Sequence, residues 1–162
     1  MKDTIPDHVI RRACPGDLEA VGNLLRQVLK VHHGGRPDLF RPEGKKYSDE
    51  ELLRIFDNPD TPVFVFDQGG EVLGYAFCAL ERLSGGSLNP MSSLYIDDIC
   101  VDEKARRRHV GRSLFEHVKA FAREKGCYNI TLHVWEFNHA AKRFYESLGM
   151  SPQFTSMELL CK

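Results

Sequence analysis

The chain has 162 residues and a formal net charge of −1, with 42% hydrophobic and 28% charged residues. This length and composition are typical of one globular domain with a substantial core, so we expect a single domain over residues 1–162. The balanced charge disfavours a nucleic-acid-binding protein, which needs a broad basic face. No apolar stretch is long enough to span a bilayer, so we expect no membrane partner.

The cysteines and the N-terminal residues both indicate a reducing compartment. The five cysteines are scattered and form no Cys-x-x-Cys pair: Cys14, Cys78, Cys100, Cys127 and Cys161. This spacing favours reduced, buried thiols over a disulfide framework or a metal site. Residues 1–7 contain no apolar signal core. We therefore expect a cytoplasmic protein that binds no metal.

The first third of the chain predicts one strand and two helices. A strand over His8–Ala13 is followed by a helix whose apolar residues recur at helical spacing, and Gly34–Pro37 ends that helix. Ser48 and Glu51 have the spacing of a capping box. They predict a short second helix that ends near Asp57.

The middle of the chain predicts three strands connected in sequence. Residues 62–66 form a strand, a tight turn follows at 68–71, and the chain returns over 72–83. We expect a flexible connection over Ser84–Pro90 and a further strand over Leu94–Val101.

The last third predicts two helices and two strands. Apolar residues at helical spacing predict a helix over 110–125, and alternating apolar residues predict a strand over 128–134. Asn138 is placed to cap the last helix at its start and Gly149 at its end. Phe154–Leu160 is expected to form a closing strand. The predicted order is β-α-α-β-β-β-α-β-α-β, which is a mixed α/β fold with a mostly antiparallel sheet.

A basic turn lies between the strand that ends at Val101 and the helix that follows. The first N–H groups of a helix lack internal acceptors and the helix dipole favours anions there, while arginines add forked donors. The turn therefore predicts a bound phosphate-bearing cofactor, and a solvated basic turn is the alternative. The residues expected to supply backbone or side-chain donors are Arg106, Arg107, Arg108, His109, Val110, Gly111, Arg112 and Ser113.

Two consecutive aspartates interrupt the apolar strand before this turn. Burying a carboxylate is costly unless it has a partner or a role. Strand alternation predicts that the side chains of Tyr95, Asp97, Ile99 and Val101 share one face of the sheet. Those of Asp98 and Cys100 are predicted on the other face. A partly desolvated aspartate with a raised pKa can accept the proton that an amine must lose before attack. An ion pair with an arginine of the basic turn is the alternative.

Two motifs, in this order, resemble those of the GNAT acetyltransferases. Arg106–Gly111 is similar to the family's pyrophosphate loop, R/Q-x-x-G-x-G/A, with His109 in place of the first glycine. Asn138–Met150 is similar to the family's N-x-x-A-x-x-F-Y-x-x-x-G-F/M segment. The resemblance covers the C-terminal part of the chain, and the earlier residues match only in the order of their elements.

The resemblance implies a GNAT-like α/β (α+β) fold with a mixed, mostly antiparallel sheet of six to seven strands flanked by about four helices. It implies that the sheet splays open to admit the pantetheine arm of acetyl-CoA. The implied cofactor contacts are the basic turn, Asn138 and the backbone of Ile99, Cys100 and Val101. Tyr145 is implied as the general acid and Asp97 as the general base, with Asp98 or water as alternatives.

The predicted function is direct transfer of an acetyl group from acetyl-CoA to an amine of a small molecule or peptide. The resemblance implies an acceptor site built from Val31–Tyr47 and Leu83–Ser92, whereas Trp135 and Phe137 either line it or belong to the core. The acceptor's identity stays open. A non-catalytic acyl-CoA-binding or sensing module, and an interaction protein that uses the basic turn alone, are the other hypotheses. Dimers are common among such folds, so a homodimer also stays open.

Overall fold

The computed structural model describes residues 7–161, which contain five strands and four helices. In chain order these are β1 (His8–Arg12), α1 (Leu18–Gly35), α2 (Asp49–Asp57), β2 (Val63–Gln68), β3 (Glu71–Gly85), β4 (Leu88–Val101), α3 (Val110–Glu124), β5 (Asn129–Leu132) and α4 (His139–Ser147). Short 3-10 turns precede α1 and α3. None of the helices in this part of the chain is long and apolar enough to cross a membrane.

The five strands form one sheet in the order β1-β2-β3-β4-β5. The first three pairings are antiparallel, and β4 and β5 are parallel. The parallel pairing runs only from Ser93–Asn129 to Ile96–Leu132. Because β4 continues to Val101 while β5 has ended, the two strands part beyond Ile96 and leave a gap.

Helices cover both faces of the sheet, as the continuous apolar run in β2 indicates. Phe64 and Phe66 point into the core shared with α3, while Val63 and Val65 point into the core shared with α1 and α2. All four side chains are buried. α4 adds to the α3 side, where Tyr145 packs against the first of these cores.

The helix-capping predictions are confirmed. The Ser48 Oγ accepts a 3.2 Å hydrogen bond from the Glu51 N–H, and the Glu51 carboxylate accepts one of 2.7 Å from the Ser48 N–H. The Asn138 side chain accepts a 3.1 Å hydrogen bond from the Ala141 N–H at the start of α4. Gly149 follows α4 with φ of 91°, the left-handed backbone that ends helices.

The predicted closing strand over Phe154–Leu160 is wrong, and with it the count of six to seven strands. Residues 151–161 carry no regular secondary structure, and their side chains are exposed. The segment contacts the rest of the chain through the Phe154 ring against His133 and an ion pair of 2.9 Å between Glu158 and Arg36. Apolar alternation alone does not make a strand, because a strand also needs a hydrogen-bonded neighbour.

The predicted flexible connection over Ser84–Pro90 is also wrong. β3 and β4 continue through it as one long hairpin, with Leu83 opposite Met91 and Gly85 opposite Leu88. Gly85 and Gly86 take positive φ values of 95° and 54° at the turn, which glycine does at little steric cost.

Candidate active site

A β-bulge in β4 lies where β4 and β5 part. The register of β3 and β4 passes from Phe77 opposite Asp98 to Cys78 opposite Ile96. Asp97 is therefore the extra residue, without an opposite residue on β3. A bulge of this kind shifts the alternation of side chains by one position.

The bulge places both aspartates on the same side of the sheet. Ile96, Ile99 and Val101 pack on the α3 side. Asp97 and Asp98 instead contact residues of the α1 and α2 side. The prediction that the two acids face opposite sides, with Ile99 and Val101 beside Asp97, is therefore wrong.

Asp98 is half-buried and is held by a short hydrogen bond. The Tyr75 Oη donates to Asp98 Oδ2 at 2.6 Å, and Tyr75 itself is completely buried. Burial raises the pKa of Asp98 to about 6, and the charge of Asp97 acts in the same direction. The Tyr75 hydrogen bond and the charge of Lys46 oppose that rise. A carboxyl group with a pKa close to neutrality is suited to accept and release a proton.

Asp97 is more exposed and contacts the segment between α1 and α2. The Lys46 Nζ donates a hydrogen bond of 2.6 Å to Asp97 Oδ2, and the Tyr47 Oη donates a weaker one of 3.4 Å. Desolvation acts to lower the pKa of Lys46, but the hydrogen bond and charge of Asp97, with further help from Asp98, raise it overall. Lys46 and Tyr47 lie at the end of Val31–Tyr47, so this predicted acceptor segment does reach the aspartates.

The other predicted acceptor segment, Leu83–Ser92, lies farther along the β3–β4 hairpin from the aspartates. It forms the far end of the β3–β4 hairpin, and Leu88 stands at its turn. At about 3.3 Å per residue, Leu88 and Asp97 lie roughly 30 Å apart along β4.

The end of β4 offers a free backbone edge at the gap. Ile99, Cys100 and Val101 lie opposite Ala76, Tyr75 and Gly74 of β3 on one side. On the other side no strand among residues 7–161 pairs with them, because β5 ends at Leu132. An extended ligand can pair with such an edge as an added strand does.

Cys100 is poorly suited to act as a nucleophile. Its thiol is buried and donates a long hydrogen bond of 3.6 Å to the Leu24 carbonyl. Burial, together with the charge of Asp98, raises the pKa of Cys100 to about 12. At neutral pH this side chain is therefore a neutral thiol, whereas the thiolate is the reactive form.

Tyr145 reaches the same region from α4. Its half-buried ring packs against the core on the α3 side and lies edge-on to Phe144. Burial raises the pKa of Tyr145, and the charges of Asp98, Cys100 and Cys78 add to that rise. The phenol therefore keeps its proton at neutral pH. Its hydroxyl makes no hydrogen bond with any residue that the structure describes, so it is free to donate to a ligand.

The basic turn presents cations and unpaired N–H groups at the start of α3. Arg106, Arg107, Arg108 and His109 are exposed. The first turn of α3 contains no acidic residue and has no side-chain cap. The N–H groups of Val110, Gly111 and Arg112 therefore lack an intrahelical acceptor. The N–H of Ser113 already donates to the His109 carbonyl at 2.9 Å, which leaves its hydroxyl as the donor that Ser113 can offer a ligand.

His109 adopts the backbone conformation that a glycine would adopt. Its φ is 62°, in the left-handed region, and Arg107 has a φ of 63°. Non-glycine residues take this conformation at a cost of about 1–2 kcal/mol. The turn therefore has a left-handed backbone at the position where the motif that it resembles has its first glycine.

Gly111 and Asn138 both act within the fold. A Cβ at Gly111 would lie 3.2 Å from the Phe144 ring and 3.4 Å from a Val101 methyl group, so Gly111 allows α3 to approach α4 and β4. Asn138 caps α4 at Ala141 through its side-chain oxygen.

Trp135 and Phe137 connect the end of α1 to the loop before α4. The Trp135 ring lies edge-on to Phe40, at 5.6 Å between centroids, with the Arg36 guanidinium 5.8 Å from its centroid. Phe137 packs directly on Gly35, where a Cβ would overlap its ring. Both residues therefore hold the segment that leads to Lys46.

Lys46 and Tyr47 were expected only as members of the acceptor segment Val31–Tyr47, without contacts to the aspartates, and Tyr75 was not expected at the site. Tyr75 has the pattern of an ordinary buried strand residue, and only the register of β3 and β4 brings it to Asp98. Lys46 and Tyr47 lie in a loop, where sequence periodicity carries no information about long-range partners. The two adjacent aspartates were the one signal that pointed to this site.

Comparison with known proteins agrees with this architecture. The sequence model of the "Acetyltransferase (GNAT) family" matches residues 30–150. A solved structure of a mutant BH1408 protein from Bacillus halodurans is 31% identical with a TM-score of 0.91, covering 95% of this chain and 99% of that chain. Thialysine N-epsilon-acetyltransferase from Bos taurus is 27% identical over 157 residues, 87% of this chain and 82% of that protein.

A further relative is considerably longer than this chain. Mycothiol acetyltransferase from Thermobispora bispora is 29% identical over 113 residues, which are 68% of this chain and 38% of that protein. The chain thus spans well under two thirds of that relative's length.

Proposed function

This chain belongs to the acetyltransferase (GNAT) family, and from that premise we propose that it transfers the acetyl group of acetyl-CoA directly to a primary amine of a small molecule or peptide. The observation that carries the proposal is the bulge, which brings Asp97 and Asp98 together beside the gap between β4 and β5. The relative from Bos taurus, named for acetylation of the epsilon nitrogen of thialysine, supports a primary amine as acceptor.

The residues around the gap are compatible with acetyl-CoA as the cosubstrate. The open N–H groups of α3, with exposed Arg106, Arg107 and Arg112 nearby, would hold its phosphates. The free edge of β4 at residues 99–101 would pair with its extended arm, with Asn138 at the start of α4 alongside. When bound, acetyl-CoA would supply an acyl group activated as a thioester.

The two aspartates divide the work on the acceptor. Asp97, the more exposed carboxylate, contacts the incoming ammonium first. Asp98 takes up the proton, since its pKa of about 6 lets it bind and release a proton near neutrality. The sequence prediction favoured Asp97 as the base and kept Asp98 or water as alternatives, and this assignment takes the Asp98 alternative. Tyr145 keeps its proton at neutral pH and donates it to the leaving thiolate.

The first test is thermal unfolding with acetyl-CoA, free coenzyme A and ATP, the last as an anion control. A ligand that binds only the folded state raises stability by about 2.7 kcal/mol at a hundred times its dissociation constant. We expect the two coenzyme A forms, and not ATP, to raise the midpoint. No change with any of the three would contradict the proposal.

The second test is release of the coenzyme A thiol with a panel of primary amines. Tyr145→Phe should lower kcat on the order of 10²-fold, because general acid catalysis contributes about that much. Tyr128→Phe is the matched control, since Tyr128 is a 75% exposed surface tyrosine. Equal rates for wild type and Tyr145→Phe would remove Tyr145 from the mechanism.

A further inference from the structure

One primary amine already occupies the place at Asp97 that the proposed function assigns to the acceptor. It is the ammonium group of Lys46, whose Nζ lies 2.6 Å from Asp97 Oδ2. Lys46 also interacts electrostatically with Asp98. A lysine side chain is itself a primary alkylamine, so its contacts are those expected of an external substrate.

The side chain of Lys46 is partly exposed and is held mainly by the aspartates. Its side chain is 47% exposed, and it belongs to the loop between α1 and α2. Besides Asp97, the Lys46 ammonium lies 5.3 Å from the centroid of the Tyr47 ring. The neighbouring Lys45 differs in one respect that matters, because its ammonium pairs with Asp49 on α2, at 3.3 Å, and not with either site aspartate.

We propose that Lys46 is an internal acceptor, which the protein acetylates on its own Nζ when acetyl-CoA is bound. This inference rests on the proposed function. Lys46 becomes a self-modification site that responds to the supply of the thioester.

The step balances in atoms and charge. The Lys46 ammonium gives one proton to the aspartate pair, and the nitrogen lone pair attacks the thioester carbonyl carbon. A nitrogen–carbon bond forms as the carbon–sulfur bond breaks. The sulfur takes its proton from Tyr145, which is restored by the second proton of the amine. The products are N-acetyl-lysine at position 46, free coenzyme A, and one proton released from the aspartates to solvent.

Acetylation would convert Lys46 from a cation to a neutral amide. The ion pair with Asp97 is then lost, and Asp97 is released to bind an external ammonium. The unmodified lysine thus competes with the substrate, and the modified one does not.

The experiment incubates the full chain with acetyl-CoA and no added amine, then follows acetylation of individual lysines by peptide mass spectrometry. We expect Lys46 to be modified at least on the order of tenfold faster than Lys45, because its amine is already positioned. The reaction should be first order in protein, with a rate constant that does not change with protein concentration. Tyr145→Phe and Asp97→Asn should slow modification of Lys46 and leave Lys45 at its background rate.

Two variants at the site give a second readout with an external amine. Lys46→Arg keeps the cation but cannot be acetylated, so its KM for the amine should be higher than that of acetylated wild type. Lys46→Gln resembles the acetylated side chain, so its KM should be lower than that of unmodified wild type. Lys45→Arg is the matched control.

Two outcomes would overturn the self-acetylation and leave the proposed function standing. In one, Lys46 and Lys45 are acetylated equally fast. In the other, Lys46 stays unmodified although acetyl-CoA stabilises the protein against heat. No stabilisation by acetyl-CoA would overturn both.

Discussion

Tyr75 and Asp98 are diagonal neighbours on adjacent strands, and the tyrosine hydroxyl donates a 2.6 Å hydrogen bond to the carboxylate. Tyr75 stands opposite Cys100, two residues from Asp98, so all three side chains point to the α1 and α2 side. The completely buried ring fixes the hydroxyl in place. Core packing thereby sets the position of one acid of the candidate site.

Replacing Tyr75 by phenylalanine should therefore affect both stability and proton affinity. The half-buried carboxylate loses a donor, which costs about 1–3 kcal/mol in the free energy of unfolding. The hydrogen bond holds the pKa of Asp98 down, so its loss should raise that pKa above about 6. Denaturant unfolding and the acidic limb of the pH–rate profile measure the two effects. An unchanged limb would show that Asp98 does not control the rate.

Asp98→Asn should stabilise the protein at neutral pH and abolish the proton transfer. Asp98 binds its proton more tightly in the folded state, with a pKa of about 6, than in the unfolded state at 3.8. Proton binding by Asp98 therefore stabilises the folded state fully below about pH 4. This stabilisation is lost as the pH rises through about 6. The free energy of unfolding of Asp98→Asn should equal that of wild type in acid. Above about pH 7 it should be higher than that of wild type by roughly 1–3 kcal/mol. Unfolding curves at the two extremes check the sign.

Asp17 should show the opposite pH dependence. It is buried and accepts hydrogen bonds of 2.8 and 3.0 Å from Arg11 and one of 2.8 Å from the Cys14 N–H. The hydrogen bond from Arg11, acting against burial, lowers the pKa of Asp17 below its usual 3.8. The ionised Asp17 carboxylate thus stabilises the folded state above about pH 4, and this stabilisation is lost in stronger acid.

We expect Asp17→Asn to cost about 2 kcal/mol near neutral pH, with the loss shrinking in acid. Glu116→Gln removes an exposed ion pair of 3.6 Å with Lys119 and should change stability by less than about 1 kcal/mol. Equal losses in the two variants would mean that the Arg11–Asp17 pair contributes no more than a surface pair.

His109 offers a test of the left-handed turn before α3. Glycine should relieve about 1–2 kcal/mol of backbone strain at φ of 62°, offset by about 0.5–1 kcal/mol of extra chain entropy in the unfolded state. We expect His109→Gly to be neutral or slightly stabilising. His109→Val should destabilise, because β-branched residues avoid this conformation. Valine tolerated as well as glycine would indicate that the turn had moved.

The two glycines at the end of α1 should respond differently to alanine. Gly34→Ala meets no heavy atom within 4 Å, so higher helix propensity should stabilise by up to about 1 kcal/mol. Gly35→Ala places its Cβ inside the Phe137 ring and should destabilise, by roughly 1–3 kcal/mol. Phe137→Ala in the same chain should recover part of that loss. A double-mutant cycle measures the coupling, and additive effects would contradict the overlap.

Local signals in the sequence predicted much of the fold. The Ser48–Glu51 capping box, the Asn138 cap and the apolar stripe of α3 each specify an element through neighbours close in sequence. The segment after α4 carries no such local signal. Its apolar residues allow a strand, but pairing depends on a distant edge, and the sequence does not encode which edge is open.

The candidate site depends on register to a greater extent than the fold does. Alternation along β4 predicted opposite faces for Asp97 and Asp98, and a single extra residue changed that result. Lys46 approaches Asp97 from a loop 51 positions earlier in the chain. Neither the bulge nor the contact between Lys46 and Asp97 produces a periodic pattern in the sequence, so neither could be predicted from it.

The bulge also separates the chemistry of β4 from its packing. If Asp97 is left out, the side chains of β4 alternate between the two faces of the sheet without a break through Ile96, Asp98, Ile99 and Cys100. The packing of the two cores therefore does not depend on Asp97. A one-codon insertion or deletion at this point would add or remove a carboxylate without repacking any apolar side chain. The number of acidic groups beside the gap between β4 and β5 can therefore change while the packing of the sheet stays the same.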